Sequence, residues 1–136
     1  MEERRLAAIM FTDLVGYTSL AQKNEPLALD LLEEHRMILR PIFTKHGGRE
    51  IKTIGYAFMV EFASALEAVR CATRIQEVLF EKNARSAPDK RIQVRIGIHI
   101  GDVEHRQGDL YGDAVNIASR IEPLSDPGSV CVSEQV

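Results

Sequence analysis

The sequence predicts an α+β sandwich of the ferredoxin-like kind, in which helices pack on one face of an antiparallel sheet. Leu6 to Phe11 is a continuous apolar run typical of a buried central strand, and Ile92 to Ile100 alternates apolar residues with mostly polar ones, as a half-buried strand does. Two longer segments between them show helical apolar periodicity. Strands and helices therefore mix along the chain, with short connections. The 136 residues suit a single domain, positions 1–136.

The first half of the chain predicts a long helix followed by a hairpin. Asn24 is a good N-cap, and the amphipathic pattern behind it continues to about Lys45, where cations and then glycines end it. Arg49 to Ile54 and Ala57 to Phe62 predict two strands. The two residues between them, Gly55-Tyr56, favour a type II′ turn.

The second half predicts two more helices around the alternating strand. Ser64 and Glu67 form a capping box that should begin the first of these helices. A turn region containing Gly101 follows the alternating strand, and Ser129 to Ser133 predicts a last short strand. Asp113 should cap the second helix. Four apolar residues should form its inner face: Ala114, Ile117, Ala118 and Ile121.

Composition and missing motifs exclude several classes of function. The net charge of −3 favours neither nucleic acid nor an anionic membrane as a partner, and no apolar run is long enough to span a bilayer. Cys71 and Cys131 are distant in sequence, which argues against a zinc site or a disulfide framework and fits the reducing cytoplasm. The chain contains no P-loop, no GxGxxG motif, no nucleophile elbow and no metal-ligand spacing of histidines.

What remains is a set of polar residues at strand ends, turns and one helix face. Asp13 follows the buried strand, where it could simply cap the next helix. Lys52 lies within a strand, where a lysine usually protects an edge or faces solvent. Asn116 and Arg120 are four residues apart and share one helix face, which could be an ordinary exposed stripe.

Four phrases taken together resemble the catalytic domain of class III adenylyl and guanylyl cyclases. They are MFTDLVGYT, GGREIKTIG, VRIGIHIGDV and GDLYGDAVNIASRIEPL, and they occur in the family's order and spacing over nearly the whole chain. The resemblance implies the same α+β fold. It also implies that two such domains pair head to tail, with each active site built from both.

The resemblance also implies a role for each candidate residue. Asp13 matches one of two aspartates that bind two divalent cations, Mg²⁺ or Mn²⁺, at each site. Lys52 and Asp109 match the pair that recognises adenine, and Asn116 and Arg120 match the residues that act on the ribose and the transition state. The implied reaction converts ATP into 3′,5′-cyclic AMP and pyrophosphate, for cyclic nucleotide signalling.

Two features depart from the family pattern. The second metal aspartate normally lies in the hairpin turn, but here the turn is Gly55-Tyr56-Ala57, and Tyr56 offers a neutral phenol in place of a hard anionic ligand. The family also usually continues with another helix and a terminal hairpin, which are not found before Val136.

Three hypotheses about function therefore stay open. The chain is an adenylyl cyclase domain whose homodimer has low activity because Tyr56 replaces a metal aspartate. Alternatively, it is an impaired partner that completes one site when it pairs with an intact domain. In the third hypothesis it is a pseudoenzyme that binds a nucleotide, or only a partner, and serves regulation.

Overall fold

A curled sheet forms the centre of the protein, whose computed structural model describes residues 3–136. The sheet has the strand order β2-β3-β1-β4-β5, and these five strands pair antiparallel throughout. A sixth strand, β6, pairs parallel with β4 at Ile96 to Ile98, so the predicted antiparallel sheet has one parallel addition. The strands are β1 (Glu3–Leu14), β2 (Arg49–Ile54), β3 (Ala57–Phe62), β4 (Val94–Arg106), β5 (Asp109–Tyr111) and β6 (Val130–Val132).

Four α-helices connect the strands, and two of them begin at the predicted caps. They are α1 (Tyr17–Lys23), α2 (Glu25–Lys45), α3 (Ala65–Ala84) and α4 (Asp113–Ile121). Asn24 Oδ1 accepts a hydrogen bond from the Leu27 amide at 3.2 Å, and Ser64 Oγ accepts one from the Glu67 amide at 3.3 Å. The Glu67 carboxylate contacts Arg70 and His46 and makes no bond back to Ser64. Only the Ser64 half of the predicted capping box is therefore observed in the described residues. No helix within residues 3–136 combines the length and apolarity needed to cross a membrane.

Helices cover both faces of the sheet, so the prediction of helices on one face was wrong for α4. On β1, Ala8 and Met10 belong to a core shared with α2 and α3, whereas Ile9 and Phe11 belong to a second core shared with α4. The physical reason is the continuous apolar run itself. When a strand is apolar on both sides, exposing either side to water destabilises the fold. Both sides therefore need to be covered.

Two glycines of β4 allow the chain around α4 to lie very close to the sheet. A Cβ on Gly101 would come within 2.8 Å of the Ala114 Cβ atom, and a Cβ on Gly97 would come within 2.4 Å of the Glu122 amide nitrogen. The prediction that Gly101 lies in a turn was wrong, because β4 continues through it to Arg106. Glycine occupies both positions because nothing larger fits.

The predicted inner face and cap of α4 need correction. Ala114 and Ala118 are buried, but Ile117 is 40% exposed. Asp113 is the first helical residue and not the cap. The cap position belongs to Gly112, whose φ of 127° is accessible mainly to glycine. A short 3₁₀ turn, Glu122–Leu124, follows α4 directly.

Candidate active site

A lysine and an aspartate from the two ends of the strand order form an ion pair. The Lys52 ammonium on β2 donates to Asp109 Oδ2 on β5 at 2.8 Å, although the two residues are 57 positions apart. They meet because the sheet curls until β2 and β5 touch. Asp109 Oδ1 also accepts from the Leu110 amide at 2.7 Å.

The surroundings of this pair keep the Asp109 carboxylate charged and leave both side chains accessible. The hydrogen bond from Lys52 lowers the pKa of Asp109, so the carboxylate stays an acceptor at neutral pH. The two side chains are 43% and 29% exposed. A fixed donor beside a fixed acceptor at an open surface is suited to recognising one edge of a planar ligand that carries the opposite pattern.

Asp13 lies at the end of β1, opposite Ala57 on β3 and Arg95 on β4. Its Oδ1 atom is buried and has no hydrogen-bond partner within residues 3–136. Asp13 does not cap the next helix, because α1 has Gly16 at its cap position and no side-chain cap bond. An ionisable oxygen that is buried without a partner in the chain needs one from outside it, a water, a ligand or a cation, to compensate its lost hydration.

A second carboxylate near Asp13 was missed by the sequence analysis. Glu122 is 6% exposed, and its carboxyl group lies where it can hydrogen-bond with Asp13 when protonated. Burial first, and then the contact with Asp13, raise the pKa of Glu122 to about 8, while the charge of Arg95 opposes the shift. The available signal was spacing. Ala114, Ala118 and Glu122 follow at intervals of four, which extends the buried stripe of α4 to an acid.

Tyr56 contacts a different set of residues from Asp13. Its ring packs against the Tyr17 ring with centroids 5.3 Å apart, and the ring belongs to the margin of the core shared with α2 and α3. The turn is also held from α2, because Arg36 Nη2 donates to the Gly55 carbonyl at 3.0 Å. Gly55 has a φ of 60° and Tyr56 has no positive φ, which agrees with the predicted type II′ turn. The structure therefore gives Tyr56 a packing role in the turn.

Asn116 and Arg120 lie on the outward face of α4. Both are exposed, while Ala114 and Ala118 on the opposite face are buried. Neither side chain makes a hydrogen bond or an ion pair within the described range, positions 3–136. Their polar groups are thus free for a group from outside this chain.

The residues around Asp13 fit a divalent cation only in part. Magnesium is usually held by one or two carboxylates together with phosphate oxygens and water, and Asp13 offers an unpartnered oxygen for this purpose. No group of three or more His, Cys, Asp or Glu residues that could hold a metal ion occurs within residues 3–136. Tyr56 supplies no carboxylate, so the two-aspartate arrangement that the resemblance implies would be incomplete.

Comparisons with known proteins agree on one family. The family model for the adenylate and guanylate cyclase catalytic domain matches residues 1–136. The Rhizobium meliloti (strain 1021) protein named "Putative adenylate cyclase 3" is 40% identical over 134 residues, which cover 98% of this chain and 23% of that protein. An adenylate cyclase from Streptomyces coelicolor is 34% identical over 133 residues, covering 97% of this chain and 33% of that one.

The solved structures place the fold in the same group. The crystal structure of an adenylate/guanylate cyclase/hydrolase from Silicibacter pomeroyi superposes with a TM-score of 0.91 at 40% identity, covering 98% of this chain and 78% of that chain. By contrast, the chain spans only about a quarter to a third of the length of the two curated relatives above.

Proposed function

The chain belongs to the family of adenylate and guanylate cyclase catalytic domains, and we propose that it is an adenylyl cyclase domain that converts ATP into 3′,5′-cyclic AMP and pyrophosphate. The observation that supports ATP as the substrate is the Lys52–Asp109 pair, with its 2.8 Å contact. The names of two relatives, "Putative adenylate cyclase 3" and "Adenylate cyclase", point the same way.

The proposed preference for ATP follows from hydrogen-bond polarity. Adenine presents a ring nitrogen that accepts a hydrogen bond beside an exocyclic amine that donates one. Lys52 donates and the ionised Asp109 accepts, so the pair complements that edge. Guanine presents a carbonyl oxygen where adenine has its amine, and that oxygen would face the carboxylate. Once a bound base and a second domain cover the pair, a mismatch of this kind would leave its polar groups unpaired and away from water, which discriminates strongly between substrates.

The proposed chemistry needs positioning and charge stabilisation from the chain. The 3′ oxygen attacks the α-phosphorus, the bond to the pyrophosphate oxygen breaks, and the hydroxyl proton leaves to solvent or to a phosphate oxygen. Arg120 would donate to the charge that develops on the phosphoryl oxygens, and Asn116 would orient the ribose. Asp13 would hold Mg²⁺ or Mn²⁺, which when bound polarises the phosphate and eases loss of the hydroxyl proton.

We also propose that a complete site needs a second cyclase domain. Asn116 and Arg120 are exposed and have no partner in this chain. Nearby apolar residues are exposed as well, with Ile117 at 40% and Tyr111 at 50%. Such a surface suits a partner that covers the apolar groups and brings phosphates to the polar ones.

The level of activity distinguishes this proposal from its alternative. Because Tyr56 packs on Tyr17 and supplies no carboxylate, both sites of a homodimer would lack the same metal ligand. That observation favours, as a second candidate, an impaired partner or a nucleotide-binding regulatory domain. Paired with an intact domain, the chain would still contribute Lys52, Asp109, Asn116 and Arg120 to one working site.

A mixing experiment tests the proposal. The unmodified chain is combined with a chain carrying Tyr56→Asp and Arg120→Ala, and cyclic AMP is measured with ATP and Mn²⁺. Only the mixed pair joins a restored aspartate to an intact Arg120, so the mixture should exceed either chain alone by at least about a hundredfold per mixed site.

The matched control replaces the unmodified chain by its Arg120→Ala variant, which should abolish the gain. If the mixture makes no more cyclic AMP than the separate chains, while both chains are folded and associate, the enzymatic proposal fails and the regulatory one is favoured.

A further inference from the structure

We propose that Glu122 is a metal ligand and that Asp13 and Glu122 together hold one divalent cation. The inference deepens the proposed function, since it concerns the same site and takes Asp13 as a metal-binding residue. It assigns the second carboxylate to the 3₁₀ turn after α4 instead of the hairpin turn that contains Tyr56.

The fold delivers Glu122 to Asp13 through two specific features. Glu122 extends the buried stripe of Ala114 and Ala118, so its side chain faces the sheet. Gly97 has no side chain, and a Cβ there would lie 2.4 Å from the Glu122 nitrogen and 2.5 Å from its Cα atom. The backbone of Glu122 can therefore lie against Gly97 on β4. Gly97 is two residues from Arg95, on the same face of the strand, and Arg95 pairs with Asp13.

Unpartnered oxygens then point to a cation. Glu122 is 6% exposed and contacts Asp13, yet one buried oxygen of each residue, Glu122 Oε1 and Asp13 Oδ1, has no hydrogen-bond partner within positions 3–136. The two carboxyl groups would repel each other if both were ionised, and each of the two buried oxygens has lost its hydration. Buried charges of this kind are normally paired or bound to a metal ion.

The neighbouring arginine does not fill this role. Arg95 is the cation whose charge acts on Glu122, but its Nε atom donates to the Ser125 carbonyl at 3.1 Å. No hydrogen bond joins the Arg95 guanidinium to either bare oxygen in the described part of the chain. A small divalent ion that replaces the proton of Glu122 would bind both carboxylates and satisfy both oxygens at once.

The ligand chemistry selects a hard divalent cation. Two carboxylates without sulfur or imidazole suit Mg²⁺ or Mn²⁺, whose remaining positions would be taken by water and by triphosphate oxygens. This arrangement accounts for one cation. The second cation of a two-metal site would still lack the carboxylate that Tyr56 replaces.

Binding of Mn²⁺ alone, without nucleotide, tests the inference independently of cyclic AMP synthesis. The free Mn²⁺ signal in electron paramagnetic resonance gives the dissociation constant for the unmodified chain and three variants. Asp13→Asn and Glu122→Gln should each weaken binding at least about tenfold, the effect of losing one of two anionic ligands. Glu81→Gln is the matched control, because Glu81 is an exposed acid on α3 and its loss changes the charge equally.

A second measurement covers the case in which Glu122→Gln does not fold. In the unmodified chain, Mg²⁺ should shift the side-chain carboxyl ¹³C resonances of Asp13 and Glu122 together at one midpoint, leaving Glu81 unmoved. The inference is overturned if Asp13→Asn weakens Mn²⁺ binding while Glu122→Gln does not, if only the Asp13 carboxyl shifts, or if the unmodified chain binds no Mn²⁺. Cyclic AMP synthesis that persists alongside any of these results would leave the proposed function standing.

Discussion

Replacing Gly97 by alanine should destabilise the domain, because the new methyl group would overlap backbone atoms. The added Cβ would lie 2.4 Å from the Glu122 nitrogen, 2.5 Å from its Cα and 2.9 Å from its Cβ. A flexible side chain could rotate away, but these atoms belong to the chain that links α4 to β6. The turn must therefore move away from β4.

The magnitude can be set from the general cost of overpacking. An added methyl group in a packed interior costs about 1–3 kcal/mol, and a clash with backbone belongs at the upper end of that range. For a domain of this length, 1 kcal/mol shifts the melting temperature by roughly 3–5 °C, so Gly97→Ala should lower it by roughly 6–15 °C. Where alanine fits, the same substitution stabilises by about 0.4–1 kcal/mol, so the sign itself is informative.

The assays are thermal and urea unfolding, both followed by circular dichroism, with Gly101→Ala as a graded comparison. At position 101 the nearest obstacle is the Ala114 methyl group at 2.8 Å. Adding Ala114→Gly should thus recover part of the Gly101→Ala loss in a double-mutant cycle, but none of the Gly97→Ala loss. If Gly97→Ala proves as stable as the unmodified chain, the close packing of the turn on β4 is wrong.

Two further predictions concern base choice and pH. Lys52→Glu with Asp109→Cys should move substrate preference from ATP toward GTP, since both hydrogen-bond polarities change. The test is the ratio of cyclic AMP to cyclic GMP made when this variant is mixed with the Tyr56→Asp, Arg120→Ala chain. An unchanged preference would remove the pair from base recognition. Burial raises the pKa of Glu122 from its ordinary 4.5 to about 8, so in metal-free buffer folding takes up a proton and the free energy of unfolding should fall as pH rises between those values. Glu122→Gln should flatten that fall in urea titrations at pH 5 and pH 8, and an equally steep fall in the variant would exclude Glu122 as its source.

Local features of the fold could be predicted from sequence because neighbouring residues determine them. The strands Arg49–Ile54 and Ala57–Phe62 have the predicted bounds, since the two-residue turn at Gly55 sets their register. Asn24 caps α2 for an equally local reason. In contrast, helical periodicity shows which side of α4 is buried but not which face of the sheet it covers.

Most of the residues proposed for the site could be named from the sequence, but their contacts with one another could not. The resemblance identified Lys52 and Asp109, but their contact depends on the curl of the whole sheet, which no local pattern encodes. Glu122 was missed for a related reason. An acid on a buried stripe is unusual, yet only the packing of Gly97 against the turn brings it to Asp13.

The most direct test of the central claim is the rate of cyclic AMP synthesis after the turn is restored. Tyr56→Asp with Ala57→Gly should raise the rate with ATP by at least about a hundredfold, because a strong electrostatic stabiliser of the transition state returns. Tyr56→Asn, which removes the same ring contact with Tyr17 but adds no charge, is the control and should gain far less. The claim is contradicted if the unmodified chain is already as active as the restored one, or if the asparagine variant gains as much.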